Sequence, residues 1–206
     1  MSSDQRSFEI FSTLPPNLQP PADEVVKFIS PHVKESGDGV KSFDWPSFKE
    51  ALDNYPGVDI VIEGFKSPET SKNPFNNLPS VCARELIDPL SMPLPKEDIT
   101  QFMKGVLNDL KSAKESGRAD FKLISPGDPG KKPPVLAVTG WEIRVLLLSE
   151  SRSRSSDFPA LVGTIQLAGE LDKEEDWYRL GEDSTKEVAL DITTMKLGVS
   201  PEFQAP

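Results

Sequence analysis

The sequence predicts an α+β fold: one domain in which a largely antiparallel β-sheet is covered by helices on both sides. Helical patterns come first along the 206 residues and strand patterns last, with little of the β–α–β alternation that builds parallel sheets. The strand predicted over Trp141–Leu148 ends apolar on both faces, which is typical of a strand covered on both sides. We expect residues 22–203 to form this domain and the proline-rich residues 1–21 to precede it as an extended arm.

Two helices are predicted before residue 57. Ala22–Ile29 is a short helical segment that must end before Pro31. The segment Phe43–Tyr55 has a good N-cap in Asp44 and a proline, Pro46, in its first turn, where the missing N–H has no partner to lose. One face of this helix would carry the large apolar side chains Trp45, Phe48, Leu52 and Tyr55.

The sequence pattern changes at Pro95, from a proline-rich segment to a segment with helical apolar spacing. Six prolines between Pro68 and Pro95 leave room for short helical pieces, of which Val81–Ile87 is the best candidate. Beyond Pro95 the apolar residues fall at helical spacing and predict the clearest amphipathic helix of the chain. Its apolar stripe consists of Ile99, Phe102, Met103, Val106, Leu107 and Leu110. Such a stripe most often packs on a core, and a minority of such helices lie in a membrane interface.

Strand patterns account for most of the remaining chain. Alternating or β-branched segments predict the strands Gly57–Glu63, Phe121–Ile124, Trp141–Leu148, Leu161–Leu171 and Val188–Val199. Within the last strand the apolar residues change phase, which predicts a β-bulge near Thr193–Thr194.

Composition excludes several classes of function. Lys and Arg number 23 against 33 Asp and Glu, a formal charge of −10, so the chain's field repels nucleic acid. One cysteine and one histidine exclude a disulfide framework and a multi-histidine metal centre. We read Cys82 as a buried thiol and His32 as a surface side chain near a helix end. With no phosphate-binding loop or catalytic constellation, we expect neither an enzyme nor a bound cofactor or metal.

Our expectation for the location of the protein rests on two sequence features that we do not find, a membrane-spanning segment and a secretory signal. No apolar stretch approaches the roughly 18 residues of a spanning helix, and the N-terminus has no secretory signal. We expect a protein made soluble and then secreted nonclassically or released by lysis. Two basic clusters, Lys131 with Lys132 and Arg152 with Arg154, are either exposed loops or contacts for lipid headgroups or sulfated glycans.

Two segments resemble a known family. Val25–Phe28 and above all Phe43–Tyr55 (FDWPSFKEALDNY) resemble the N-terminal region of the volvatoxins, fungal pore-forming cytolysins related to bacterial Cyt-type toxins. Trp141–Leu146 is similar to the beginning of a strand in that family. Within these segments the matching residues, all expected to be structural, are Phe43, Asp44, Trp45, Pro46, Phe48, Asn54, Tyr55 and Trp141.

The resemblance implies a Cyt-toxin-like fold: a single three-layer domain whose sheet is wrapped by helical hairpins. It also implies a cytotoxic or haemolytic defence protein that binds membrane lipid directly, rearranges, oligomerises and permeabilises the target-cell bilayer. The helix carrying the Ile99–Leu110 stripe, or the long strands Leu161–Leu171 and Val188–Val199, would enter the membrane.

Two departures from the family pattern leave alternatives open. The proline-rich Pro68–Pro95 segment stands where longer apolar helices would be expected, and the charge of −10 disfavours anionic membranes. The chain is therefore a weakly lytic member, one specific for zwitterionic lipid, or a nonlytic lipid-binding, storage or modulatory protein, the last acting beside a paralogous partner.

Overall fold

The computed structural model describes residues 7–124, 138–151, 157–169, 171, 173–181 and 183–206. Helices and strands alternate irregularly along the chain. The helices are α1 (Gln19–Ile29), α2 (Trp45–Asp53), α3 (Leu78–Ile87), α4 (Lys96–Asn108), α5 (Leu110–Glu115) and α6 (Glu174–Tyr178). The strands are β1 (Glu9–Ser12), β2 (Val33–Glu35), β3 (Lys41–Phe43), β4 (Ile60–Lys66), β5 (Ser71–Pro74), β6 (Ala119–Ile124), β7 (Val138–Leu148), β8 (Phe158–Gly169) and β9 (Glu187–Val199).

Three long antiparallel strands, β7, β8 and β9, form the centre of the main sheet. Beyond β7, the outer side is shared by β6, which is antiparallel to it, and β1, which is parallel. Beyond β9, the outer side is shared by the antiparallel strands β4 and β5. A separate hairpin joins β2 to β3. The prediction of a largely antiparallel sheet is confirmed.

Helices cover both faces of this sheet and make two separate cores. On face A, α3, α4, α5 and α6 pack against side chains such as Trp141 and Ile165. On face B, α1, α2 and β3 pack against side chains such as Leu146 and Val162. Because neighbouring residues of a strand point to opposite faces, β7 contributes to both cores. The predicted three-layer α+β architecture is therefore confirmed.

The bulge predicted near Thr193–Thr194 is wrong. β9 pairs with β8 without interruption from Val199 opposite Phe158 to Ala189 opposite Ala168. The apolar pattern changes phase because the two ends of β9 are buried on different faces. Val188, Leu190 and Ile192 belong to the core on face A, and Met195, Leu197 and Val199 belong to the core on face B. The register shift of this region lies instead in β4, between Ile62 and Gly64.

Residues 7–21 are part of the fold, which differs from the extended arm expected over residues 1–21. Glu9–Ser12 forms β1, and Phe8 just before it is buried. The helix α1 begins at Gln19, so Pro20 and Pro21 occupy its first turn, where proline removes no helical hydrogen bond. The prolines therefore mark the start of a helix.

The other predicted helices are confirmed with shifted ends. The segment Phe43–Tyr55 forms α2, and the Val81–Ile87 segment lies within α3. The predicted amphipathic helix forms α4, which ends at Asn108, so that Leu110 begins the separate helix α5. The short strand β5 is an element that the sequence pattern did not predict.

Candidate functional site

The predicted amphipathic stripe lies against face A of the sheet. Five of its side chains are buried there: Ile99, Met103, Val106, Leu107 and Leu110. Phe102 lies at the border of this core, partly buried, with its ring centroid 5.5 Å from that of Phe11 in β1. In the folded chain the stripe is thus a packing surface, as most such stripes are.

The neighbouring helix α3 approaches the sheet closely at one glycine. A Cβ atom added at Gly163 in β8 would lie 3.0 Å from Val145 Cγ2 and 3.2 Å from Leu86 Cδ2. A side chain at this position would therefore press against both the sheet and α3. Cys82, on the same helix, is fully buried in the core on face A, and burial raises the pKa of its thiol to about 12. The interpretation of Cys82 as a buried thiol is confirmed.

An ion pair joins α3 to the edge of the sheet. Lys66 Nζ in β4 lies 2.5 Å from Glu85 Oε2 in α3, and both side chains are largely covered. The hydrogen bond from Lys66 is the main reason that the pKa of Glu85 is lowered from its ordinary value. A second ion pair, between Lys96 at the start of α4 and Asp88, links α4 to the end of α3 at 2.7 Å. The two helices are thus tied to each other and to β4.

The segment that carries the family resemblance builds the opposite layer. Asp44 caps α2 by accepting a hydrogen bond from the backbone N–H of Ser47 at 3.0 Å, and Pro46 lies in the first turn, both as predicted. Asn54 is the C-cap residue of α2. The aromatic residues of this segment lie in one cluster with rings from α1 and the C-terminus. Ring centroids are 4.8 to 6.2 Å apart for Phe43 with Trp45 and Phe48, for Phe48 with Phe28 and Trp45, and for Tyr55 with Phe28 and Phe203.

Trp141, the remaining residue of the resemblance, lies on the other face. Its ring is fully buried on face A between Phe121, at 5.4 Å, and Tyr178, at 5.7 Å. The sheet therefore separates Trp141 from the aromatic cluster. The aromatic residues of the resemblance are therefore packed in the two cores.

A buried arginine on face B was not predicted. Arg144 in β7 is fully buried and donates hydrogen bonds to the carbonyl oxygens of Ser7 at 2.9 Å and Gly117 at 2.7 Å. It also donates to Asp120 Oδ2 at 2.6 Å and to the carbonyl of Lys41 at 3.3 Å. Arg144 thereby joins the N-terminal segment, the β2–β3 hairpin and the α5–β6 turn to the sheet.

Glu142, two residues earlier on the same face, extends this polar network. One carboxylate oxygen accepts a hydrogen bond from the backbone N–H of Phe43 at 2.7 Å, and the other is paired with Lys122 Nζ at 2.5 Å. Nearby, the indole N–H of Trp45 donates to Thr164 Oγ1 at 3.0 Å. The alternation of Glu142 and Arg144 within an otherwise apolar strand was the signal in the sequence that could have found this network.

The two helical layers are therefore fastened to the sheet in different ways. On face B, buried hydrogen bonds and charges connect β3 and the beginning of α2 to β7 and β8. On face A, the contacts of α3 and α4 with the sheet are mainly apolar, with the Lys66–Glu85 ion pair at the edge. Apolar contacts, unlike the hydrogen bonds on face B, are non-directional.

Other candidate groups offer little chemistry. His32 is partly buried beside Phe48, with Nδ1 3.0 Å from Ser47 Oγ, and burial lowers the pKa of its imidazole. Within the described ranges, no cluster of three or more His, Cys, Asp or Glu residues could hold a metal ion. No helix there is both long and apolar enough to cross a membrane. The basic residues Lys131, Lys132, Arg152 and Arg154 lie outside the described residues.

Comparison with known proteins identifies the fold. No protein-family model matches the sequence, and no curated protein matches it. The activated Cyt2Ba monomer from Bacillus thuringiensis subsp. israelensis is similar in structure with a TM-score of 0.73, covering 94% of this chain and 98% of that chain at 6% identity. A delta-endotoxin is similar with a TM-score of 0.71, covering 94% and 81% at 7% identity. The chain therefore has the fold of Cyt toxins, as the resemblance implies.

Proposed function

We propose that this protein is a pore-forming cytolysin of the volvatoxin and Cyt type. It binds membrane lipid directly, rearranges, oligomerises and permeabilises the bilayer of a target cell as a cytotoxic defence protein. The proposal rests on one observation: the apolar stripe of the amphipathic helix α4 is buried against face A by mainly apolar contacts. The likeness to Cyt2Ba in fold adds support.

Energetics make the release of α4 feasible. Full burial of an aliphatic or Met side chain is worth about 1.5–3 kcal/mol, so the five buried side chains of the stripe are worth about 8–15 kcal/mol against exposure to water. Exposure to water is therefore prohibitive. Contact with acyl chains provides nearly the same transfer free energy as contact with the sheet, so the free-energy change for exchanging the sheet surface for lipid is close to zero. Membrane contact would therefore control the release.

The layer on face B would stay attached during this change. Arg144 and Glu142 connect it to β7 through buried hydrogen bonds that lipid chains cannot replace. We propose that α3 and α4 leave together, because α3 also presents its apolar face to the sheet and is joined to α4 by the Lys96–Asp88 ion pair. The net charge of −10 favours zwitterionic over anionic lipid as the target.

Dye release from vesicles tests the proposal. The purified protein is mixed with phosphatidylcholine vesicles, with and without sphingomyelin or an anionic lipid, and leakage is followed by fluorescence. We expect leakage from the zwitterionic vesicles and less from the anionic ones. Absence of leakage from every mixture, with the fold verified by circular dichroism, would contradict pore formation and favour the nonlytic lipid-binding, storage or modulatory alternative.

A matched pair of variants tests the role of α4. Phe102→Asp places a carboxylate at the border of the stripe, where the side chain is partly exposed, and Gln101→Asp places the same charge on the exposed face one residue away. We expect the first variant to lose leakage and the second to keep it, because only the first charge would enter the apolar side of the bilayer. Equal leakage by the two folded variants would remove α4 from the mechanism.

A further inference from the structure

Exposed apolar side chains are concentrated at one edge of the sheet. Among the described residues, five large hydrophobic side chains are exposed, and four of them lie within eight positions of the sequence. Val58 is 92% exposed, Val61 49%, Ile62 38% and Phe65 50%. Single exposed apolar residues are normal on a protein surface, but a contiguous group usually marks an interaction surface. We call these four residues the β4 ridge.

The β4 ridge has an unusual shape. β4 is the last strand on its side of the sheet, and its inner edge pairs with β9. Val61 points to face A, where its side chain lies over Gly198, whereas Phe65 points to face B, where its ring lies 6.0 Å from that of Trp45. Val58 stands at the turn before the strand. The apolar groups thus project from both sides of one edge of the sheet.

This shape fits a fluid surface better than a folded partner. A protein partner would have to contact both sides of the edge to cover all four side chains, whereas lipid headgroups and acyl chains adapt to an edge that is apolar on both sides. Shallow insertion also leaves the outer backbone groups of β4 in reach of interfacial water, which deeper burial would not.

The charges beside the ridge select the kind of lipid. Glu63 is exposed and Asp59 is partly exposed, so carboxylates lie along the strand among the apolar groups. The cation of β4, Lys66, is paired with Glu85, and Lys196 is paired with Glu63 at 3.0 Å. Glu63 is compensated by its ion pair with Lys196, so the border is acidic through Asp59 and through the chain's net charge of −10, and this acidic border repels phosphatidylglycerol or phosphatidylserine. It attracts the choline ammonium group, which is the outermost part of a phosphatidylcholine headgroup.

We propose that the β4 ridge is the surface by which the folded chain first docks on a choline-lipid bilayer, before any helix leaves the sheet. The inference rests on the proposed function and supplies a step that it lacks. The stripe of α4 is buried in the folded chain and cannot make the first contact, whereas the ridge is exposed. Lys66 also joins β4 to α3, so the docked strand is connected directly to the helical layer that leaves.

Flotation with phosphatidylcholine vesicles tests docking separately from leakage. The double variant Val58→Asp with Phe65→Ser removes two ridge side chains, and Val40→Asp introduces the same carboxylate in the turn of the distant β2–β3 hairpin as a control. We expect the double variant to bind at least about tenfold more weakly than the wild type, because two exposed apolar groups no longer leave water. The control should bind like the wild type.

Each other outcome has a defined meaning. If the folded double variant binds and permeabilises like the wild type, the ridge is not the docking surface and the proposed function stands. If the wild type neither binds nor permeabilises any vesicle, both proposals fail. Tighter binding to phosphatidylglycerol than to phosphatidylcholine would overturn the choline assignment. A wild-type dimer in sedimentation analysis that the double variant converts to a monomer would assign the ridge to a second copy of this chain instead.

Discussion

Gly105, in the middle of α4, provides a direct test of whether this helix works as a helix in the membrane-bound state. The position is exposed, and a Cβ atom added there would meet no atom within 4 Å. Replacement by alanine therefore introduces no clash and removes the entropic cost that glycine imposes in a helix, about 0.5–1 kcal/mol. We expect Gly105→Ala to raise the free energy of unfolding by this amount, measured by urea titration with tryptophan fluorescence.

Leakage measurements on the same variant then separate two mechanisms. A released α4 has lost its tertiary packing and depends more on intrinsic helix propensity, so Gly105→Ala should permeabilise vesicles as fast as the wild type or faster. Gly105→Pro should lose leakage, because it breaks the helix at a cost of about 3 kcal/mol or more. If the alanine variant is more stable but inactive, or the folded proline variant is fully active, α4 does not act as a membrane helix.

Three further predictions concern the attachment of the two layers. Arg144→Met should lower the free energy of unfolding by about 3–5 kcal/mol in urea titration, since buried acceptors lose a charged partner; a loss below about 1 kcal/mol would contradict the role of Arg144. The hydrogen bond from Lys66 lowers the pKa of Glu85. The ion pair therefore contributes its full stabilisation at pH values above the ordinary glutamate pKa of 4.5, and this contribution is lost as the pH falls through the lower pKa that Glu85 has in the folded chain. The stability difference between wild type and Glu85→Gln should therefore shrink below pH 4.5, and a constant difference in urea titrations across this range would refute the assignment. Gly163→Val should overpack the contact with Leu86, cost about 1–3 kcal/mol and speed leakage, with Gly163→Ala intermediate; slower leakage would argue against release of α3.

Elements with strong local signals could be predicted from the sequence. The capping residue Asp44 and the proline after it define the start of α2 without reference to the rest of the chain. The apolar period of α4 and the long alternating patterns of β8 and β9 carry similar information over ten or more residues. Long elements with a clear period therefore appeared in the sequence with the right type and approximate bounds.

Elements that depend on distant partners could not be predicted. The strand β1 has four residues and exists because it pairs with Val145–Leu148, far along the chain. The phase change in β9 resembles a bulge in the sequence, since nothing local reveals that helices cover its two ends on opposite faces. Local patterns do not contain the information about which surfaces meet.

In the candidate site, too, local features could be predicted from the sequence and long-range contacts could not. The apolar stripe of α4 was identified residue by residue, because its spacing is local, but the face of the sheet that buries it was not. Arg144 draws its partners from residues 7, 41, 117 and 120, so its role depends on the folded arrangement. The β4 ridge likewise follows from the position of β4 at an edge, whereas the sequence predicts an ordinary strand.

The buried cysteine on α3 would make the proposed separation of the layers chemically observable. Cys82 is the single thiol of the chain, it is fully covered by the sheet and helices, and its high pKa leaves almost no thiolate in the folded state. A thiol-specific reagent can therefore modify it at an appreciable rate after α3 has moved away from β8. The labelling rate of Cys82 on vesicles would therefore report how often and how fast the helical layer opens, if it is released as we propose, without any engineered probe.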